Sequence, residues 1–163
     1  MIRHGIVAAV FALVACGGSS TPSSTNFSSV SMTAGNEIQN PAVVSNATGT
    51  ATYVVNGATV NYTISYTNLS GSPTMGHIHV GTPAVSGGVV VPFTGLPSGV
   101  TNNFSGSFTA ADVKAGSAGG VTVTAGSLDS LLAAFKAGNA YTNIHTTKYG
   151  SGEIRGQILP NAQ

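Results

Sequence analysis

Residues Gly49–Asn68 read GTATYVVNGATVNYTISYTN, two β-type runs meeting at Asn56-Gly57. Asn-Gly tolerates positive φ at both positions, as a two-residue type I′ hairpin turn requires, so Gly49–Val55 and Ala58–Asn68 are expected to pair antiparallel. Outward from this hairpin the chain repeats the same grammar: short β-type runs at Phe27–Met32, Gly76–Val80, Gly88–Phe93, Asn103–Phe108, Ala140–Thr146 and Gly152–Leu159, broken by Gly, Pro, Asn and Ser. Many short strands with frequent turn residues indicate an all-β sandwich or barrel. One helix interrupts them, SLDSLLAAFKAG: Ser127 can cap it, Leu128, Leu131, Leu132 and Phe135 recur at helical spacing, and Gly138 follows as a stop. A shorter turn of the same kind is expected between Thr109 and Gly116.

The N-terminus has a different character. Arg3 precedes an apolar run from Ile6 to Ala15, about 10 residues against the roughly 20 that span a bilayer, which suits a signal peptide. Leu13-Val14-Ala15-Cys16 resembles a bacterial lipobox, implying cleavage before Cys16 and acylation of its thiol. Residues 1–15 are therefore read as a lipoprotein signal peptide and 16–26, rich in Gly, Ser, Thr and Pro, as a flexible tether from lipidated Cys16. Gly17 follows the cysteine, with no Asp to argue for inner-membrane retention. The expected location is the cell envelope: exported and lipid-anchored, at the outer membrane or at the periplasm or cell surface. Cys16 is the only cysteine, so a lipidated chain has neither disulfide nor thiolate metal site.

Residues 27–163 form one domain's length with little charge: Glu37, Asp112, Asp129 and Glu153 against Lys114, Lys136, Lys148 and Arg155. Such a balance offers no footprint for nucleic acid, and the membrane is contacted through the lipid alone. Catalytic motifs are lacking: there is no G-x-S-x-G elbow, and GNAYTN and GSAGGV lack the lysine and the strand-to-helix setting of a phosphate loop.

Histidine is the informative residue type. The chain has four, and the three beyond the leader are His77 and His79 in MGHIHVG and His145 in YTNIHTTKYG. Strand side chains alternate between faces, so His77 and His79 share one face against Ile78, Tyr141, Asn143 and His145 share one against Ile144, and Glu153, Arg155 and Gln157 lie against Ile154 and Ile158. If the isoleucines enter the core, the polar groups form one outward face. Three neutral imidazoles suffice as ligands for copper or, less favoured, zinc. The alternative is a hydrogen-bonded network that only ties strands together.

Three blocks, MTAGNEIQNPAVVSNATGTATYVV, GHIHVGTPAVSGGVVVPF and AGNAYTNIHTTKYGSGEIRGQI, resemble the CHRD domain, first named in chordin and present in many exported bacterial proteins. Gln39 and Asn40 before Pro41, and Lys148-Tyr149 before Gly150, depart from the common pattern without touching the histidines. The resemblance implies a secreted, immunoglobulin-like β-sandwich and no single agreed activity. The histidine pattern is also similar to the copper half of Cu/Zn superoxide dismutase, a Greek-key sandwich. That likeness implies His77, His79 and His145 as metal ligands and Arg155 as the anion guide; Glu153, placed on the same face by alternation, is expected as a further supporting residue, or, if the histidines are only structural, as a partner of Arg155 or a cap of the Gly-rich loop. The chain lacks the bridging histidine, the zinc loop and the disulfide. Three functions follow as expectations: a non-enzymatic binding or structural module holding copper, a redox metalloenzyme, or a protein-interaction or adhesion module with structural histidines.

Overall fold

The structure, a computed structural model, describes residues 25–29 and 31–161. The expected signal peptide, Cys16 and nearly all of the expected tether lie outside the described residues. Asn26, assigned to the tether, already belongs to the fold: it opens the first strand and pairs with Val54.

Eleven strands are present among the described residues: β1 (Asn26–Ser29), β2 (Met32–Thr33), β3 (Thr48–Asn56), β4 (Thr59–Thr67), β5 (Pro73–Val80), β6 (Val89–Pro92), β7 (Asn102–Thr109), β8 (Gly116–Ala118), β9 (Val121–Val123), β10 (Ala140–Thr146) and β11 (Ile154–Pro160). One α-helix, α1 (Leu128–Lys136), and two 3₁₀ turns, Ala34–Asn36 and Ala110–Asp112, complete them. All strand pairs are antiparallel; the main sheet runs in the order β6-β5-β10-β11-β1-β3-β4-β7 with β2 off this path, and β8 and β9 form a separate two-stranded sheet. β1 and β2 each pair with both β11 and β3, joining the two layers of the sandwich.

β3 and β4 pair antiparallel as expected, but the turn is not the expected type I′ at Asn56-Gly57: Asn56 stays in the ladder, Gly57 and Ala58 form the two-residue loop, and only Gly57 takes positive φ, as a type II′ turn requires. Val55 pairs with Val60 and Asn56 with Thr59, and Gly57 takes φ +60°. Ala51, Tyr53, Val60, Tyr62, Ile64 and Tyr66 point into the core while the intervening threonines and serines face out or lie half-buried. From the opposite layer come Ile78, Val80, Ile144, Ile154 and Ile158, all fully buried. The core includes a polar chain: Thr142 Oγ1 lies 2.8 Å from Ser29 Oγ and 2.7 Å from the Tyr53 hydroxyl, satisfying three buried hydroxyls at once. α1 closes one end, with the Ser127 side chain accepting from Ser130 N–H, Phe135 packed edge-on against Phe27, and Gly138 at φ +66° ending the helix. The shorter turn forms at Ala110–Asp112, where Asp112 accepts from Thr109 N–H.

Two elements differ from the expectation. The single strand Phe27–Met32 divides into β1 and β2. GSAGGVTV forms the hairpin β8–β9, with Gly119 and Gly120 both at positive φ; the Gly-Gly dipeptide is its sequence signal.

Candidate functional site: three imidazoles under a loop

The three histidines come together because β5 and β10 are neighbours. Their register sets His79 opposite Tyr141, His77 opposite Asn143 and Met75 opposite His145. With Ile78 and Ile144 committed to the core, these six side chains share the other face. β11 continues the rows, Gln157 beside Tyr141 and Arg155 beside Asn143.

This face is not the open, outward one that alternation predicted. Every residue of β10 is buried, and His145 is 6 % exposed, Asn143 2 % and Arg155 2 %. Two segments cover it. From the β5–β6 connection, Gly87 C=O accepts from His79 Nδ1 at 2.9 Å and Gly87 N–H donates to the Tyr141 hydroxyl at 3.0 Å. In the same connection Thr82 C=O accepts from the Arg155 guanidinium at 2.9 Å and Gly81 C=O from the Gln157 amide at 2.7 Å. From the β2–β3 connection, Glu37 accepts from the Asn143 amide and Gln39 donates to Gly152 C=O. A sandwich face buried by loops needs polar partners for those loops' backbone groups, and this row of side chains supplies them.

The hydrogen bonds define which imidazole nitrogens remain for a ligand. His79 Nδ1 is held by Gly87 C=O and His145 Nδ1 by Gly150 C=O at 3.0 Å, so both rings carry the proton on Nδ1 and present Nε2 as a lone pair. His145 Nε2 accepts from His77 Nδ1–H at 3.2 Å, so a metal bound between these two nitrogens replaces that proton, while His79 Nε2 has no partner to give up. One ligand nitrogen from each ring fits within 4.8 Å of the others. Metal–nitrogen bonds of about 2.0–2.1 Å place adjacent ligand atoms about 3.3 Å apart in a tetrahedron and opposite ones no more than about 4.2 Å apart. The His77–His145 pair already has the adjacent spacing; a pair at the 4.8 Å limit has to close by about 0.6 Å to sit opposite across a metal and by about 1.5 Å to reach the tetrahedral spacing.

Electrostatics favour the neutral rings that a metal needs. Burial, reinforced by His145, His79 and Lys114, pushes His77 down to about 4. Burial also takes His79 down to about 4 against the opposing bond from Gly87, and lowers His145. Among the described residues, two buried side-chain atoms lack any hydrogen-bond partner: His79 Nε2 and Asn143 Oδ1. Both belong to this face.

The two supporting residues expected from sequence sit elsewhere. Glu153 precedes β11, where Gly152 at φ +124° turns the chain, so alternation counted back from Arg155 does not apply to it. Its carboxylate accepts from Ser45 Oγ (2.6 Å), Ser70 N–H (2.8 Å), Ser70 Oγ (2.7 Å) and Thr146 Oγ1 (2.7 Å), on the side of Thr146 rather than of His145. Burial would raise this carboxyl, but those bonds hold it below the ordinary carboxylate range. Arg155 lies on the histidine face but behind Tyr141: the Tyr141 ring is stacked on His79, centroids 4.9 Å apart, and Arg155 Cζ sits 3.4 Å from the same ring's centroid. The guanidinium opens instead toward a cavity of about 270 Å³ lined by Gly35, Asn36, Ile38, Pro83 and Gln157. The carboxylate that reaches the face is Glu37, raised by burial and bonded to Asn143. No spacing rule in the sequence could have found it, because it arrives from a loop 106 positions away from Asn143.

No curated protein and no solved structure is significantly similar to the chain. The CHRD domain family model, by contrast, matches residues 28–158, from within β1 to the core isoleucine of β11, so the span that builds the sandwich and all three histidines lies inside it. The chain belongs to the CHRD domain family.

Proposed function

We propose that this chain is an exported, lipid-anchored CHRD module of the cell envelope that binds one copper ion, without catalysis, through His77, His79 and His145. The observation that carries the reading is the pairing of a held ring with a free nitrogen. His79 is fixed through Nδ1 by Gly87 C=O while its Nε2 is buried without a partner, which is unfavourable by about 1–3 kcal/mol unless a ligand takes the lone pair. Orientation of a ligand histidine by a carbonyl on its other nitrogen is the usual supporting arrangement for a bound metal. Three nitrogen donors within 4.8 Å suit copper and, less selectively, zinc. Family membership supports a binding or structural module, and the position of Arg155 behind Tyr141 disfavours the redox-enzyme reading, because the residue assigned to guide an anion does not face the histidines.

Titration of the purified, chelator-stripped protein with copper and with zinc tests this. One equivalent bound, with a rise in melting temperature that is lost in His79→Ala and His145→Ala, is the expected result. Absence of stoichiometric binding, or binding undiminished in both variants, overturns it and leaves a structural or adhesive role. Anchoring is tested separately: Cys16→Ser should move the protein from the membrane to the soluble fraction.

A further inference from the structure

Three histidines leave a fourth coordination position, and the same face supplies a donor for it. Met75 stands two residues before His77 on β5 and is the registered partner of His145 on β10. The intervening Gly76 faces the core, where a Cβ would meet Ile144, Phe93 and Leu96, so Met75 lies on the histidine side. Directly opposed residues of an antiparallel pair have Cβ atoms about 4.5–5.5 Å apart, and a methionine with three rotatable bonds spans that gap easily. Packing gives no account of it: Met75 is 46 % exposed, whereas the other methionine of the described sandwich, Met32, is fully buried.

We infer that Met75 is the fourth ligand, completing a three-imidazole, one-thioether site that selects Cu(I) over Zn(II). The inference rests on the metal-binding reading of the three histidines. A thioether is a soft donor that favours Cu(I) and contributes little to Zn(II), which prefers imidazole, thiolate or carboxylate. Its location on the exposed side of the cluster, beside the half-buried His77, also places the sulfur where an incoming ion first meets the protein.

The experiment compares the intact chain with Met75→Leu, a near-isosteric change at an exposed position. Affinities for Cu(I), measured anaerobically against a chromophoric chelator, and for Zn(II) are read in parallel, with X-ray absorption on the copper-loaded intact protein. Expected are a sulfur scatterer beside nitrogen in the copper shell, a fall of about tenfold or more in Cu(I) affinity in Met75→Leu, and Zn(II) affinity nearly unchanged. A copper shell of nitrogen alone, or equal effects on both metals, overturns the assignment of Met75 while leaving the three-histidine reading intact. If the intact protein binds no copper, both fall together.

Discussion

Replacing Glu153 by alanine removes the acceptor of four hydrogen bonds that join the loop before β3, the β4–β5 loop and the end of β10. Hydrogen bonds to a charged group contribute about 1.5–3 kcal/mol each, but a sum over four overstates the loss, because freed hydroxyls can find new partners. Ser70 Oγ and Thr146 Oγ1 are already 3.2 Å apart and can bond one another. The Ser70 N–H has no such freedom and, left unpaired, costs about 1–3 kcal/mol, to which the void adds a comparable amount. The expectation for Glu153→Ala is therefore a loss of about 3–5 kcal/mol. Glu153→Gln keeps an oxygen toward Ser45 and Ser70 N–H and turns its amide nitrogen toward two hydroxyls that can reverse and accept, so about 1–2 kcal/mol is lost, mainly the charge-assisted part. Urea unfolding at neutral pH measures both. The carboxyl is held below its unfolded value, so its contribution is fully present above about pH 4.3 and disappears as pH falls through the folded value; the Gln variant should lack that acid-limb slope. Copper or zinc affinity should be unaffected by Glu153→Gln. A loss below about 1 kcal/mol in the alanine variant, or a clear change in metal affinity in the Gln variant, refutes the placement of this carboxylate as a stitch remote from the histidines.

Three further outcomes are expected. Gly87→Ala has no room for a Cβ, which would run into the Val80 backbone carbonyl; the covering loop must move off His79 and Tyr141, and metal affinity should fall by about 10–100-fold. Because the folded-state values of all three histidines lie below the unfolded value of 6.5, the unfolded chain binds more protons on acidification, so the metal-free protein should lose stability as pH falls from about 6.5 toward 4 and show no histidine contribution above that window. Urea midpoints across that range, with His79→Gln showing a shallower slope, check the sign. Tyr53→Phe removes one member of the buried hydroxyl chain with Thr142 and Ser29 and should reduce stability by about 1–2 kcal/mol in thermal or urea unfolding, without changing metal binding.

Alternation carried the reading a long way where strands are regular. Ile78, Ile144, Ile154 and Ile158 are all fully buried, and their polar neighbours on β5, β10 and β11 share the opposite face as period-2 counting requires. It failed at Glu153, one residue outside β11, because a glycine in the left-handed region resets the direction of the chain. It was also silent on what covers a face. The expected outward surface is buried by the segments around Glu37 and Gly87, whose contacts depend on loop conformation rather than on any periodicity, and which therefore determine both the held tautomer of His79 and the isolation of Arg155 from the cluster. Met75 shows the complementary case: its position beside His145 follows from strand register alone, yet only the exposed thioether makes that position chemically interesting.

The double pairing of β1 has a mechanical side. Any pull on the chain from before Thr25 enters the fold along this strand, which is bonded to β11 on one edge and β3 on the other. Antiparallel ladder bonds run across the strands, so tension along β1 loads both rows in shear, sharing the force among them instead of opening them one after another. A domain held this way resists extraction at its point of entry, and the strand that takes the strain lies two strands from the nearest histidine-bearing one only through β11, leaving the loop over His79 outside the direct line of force.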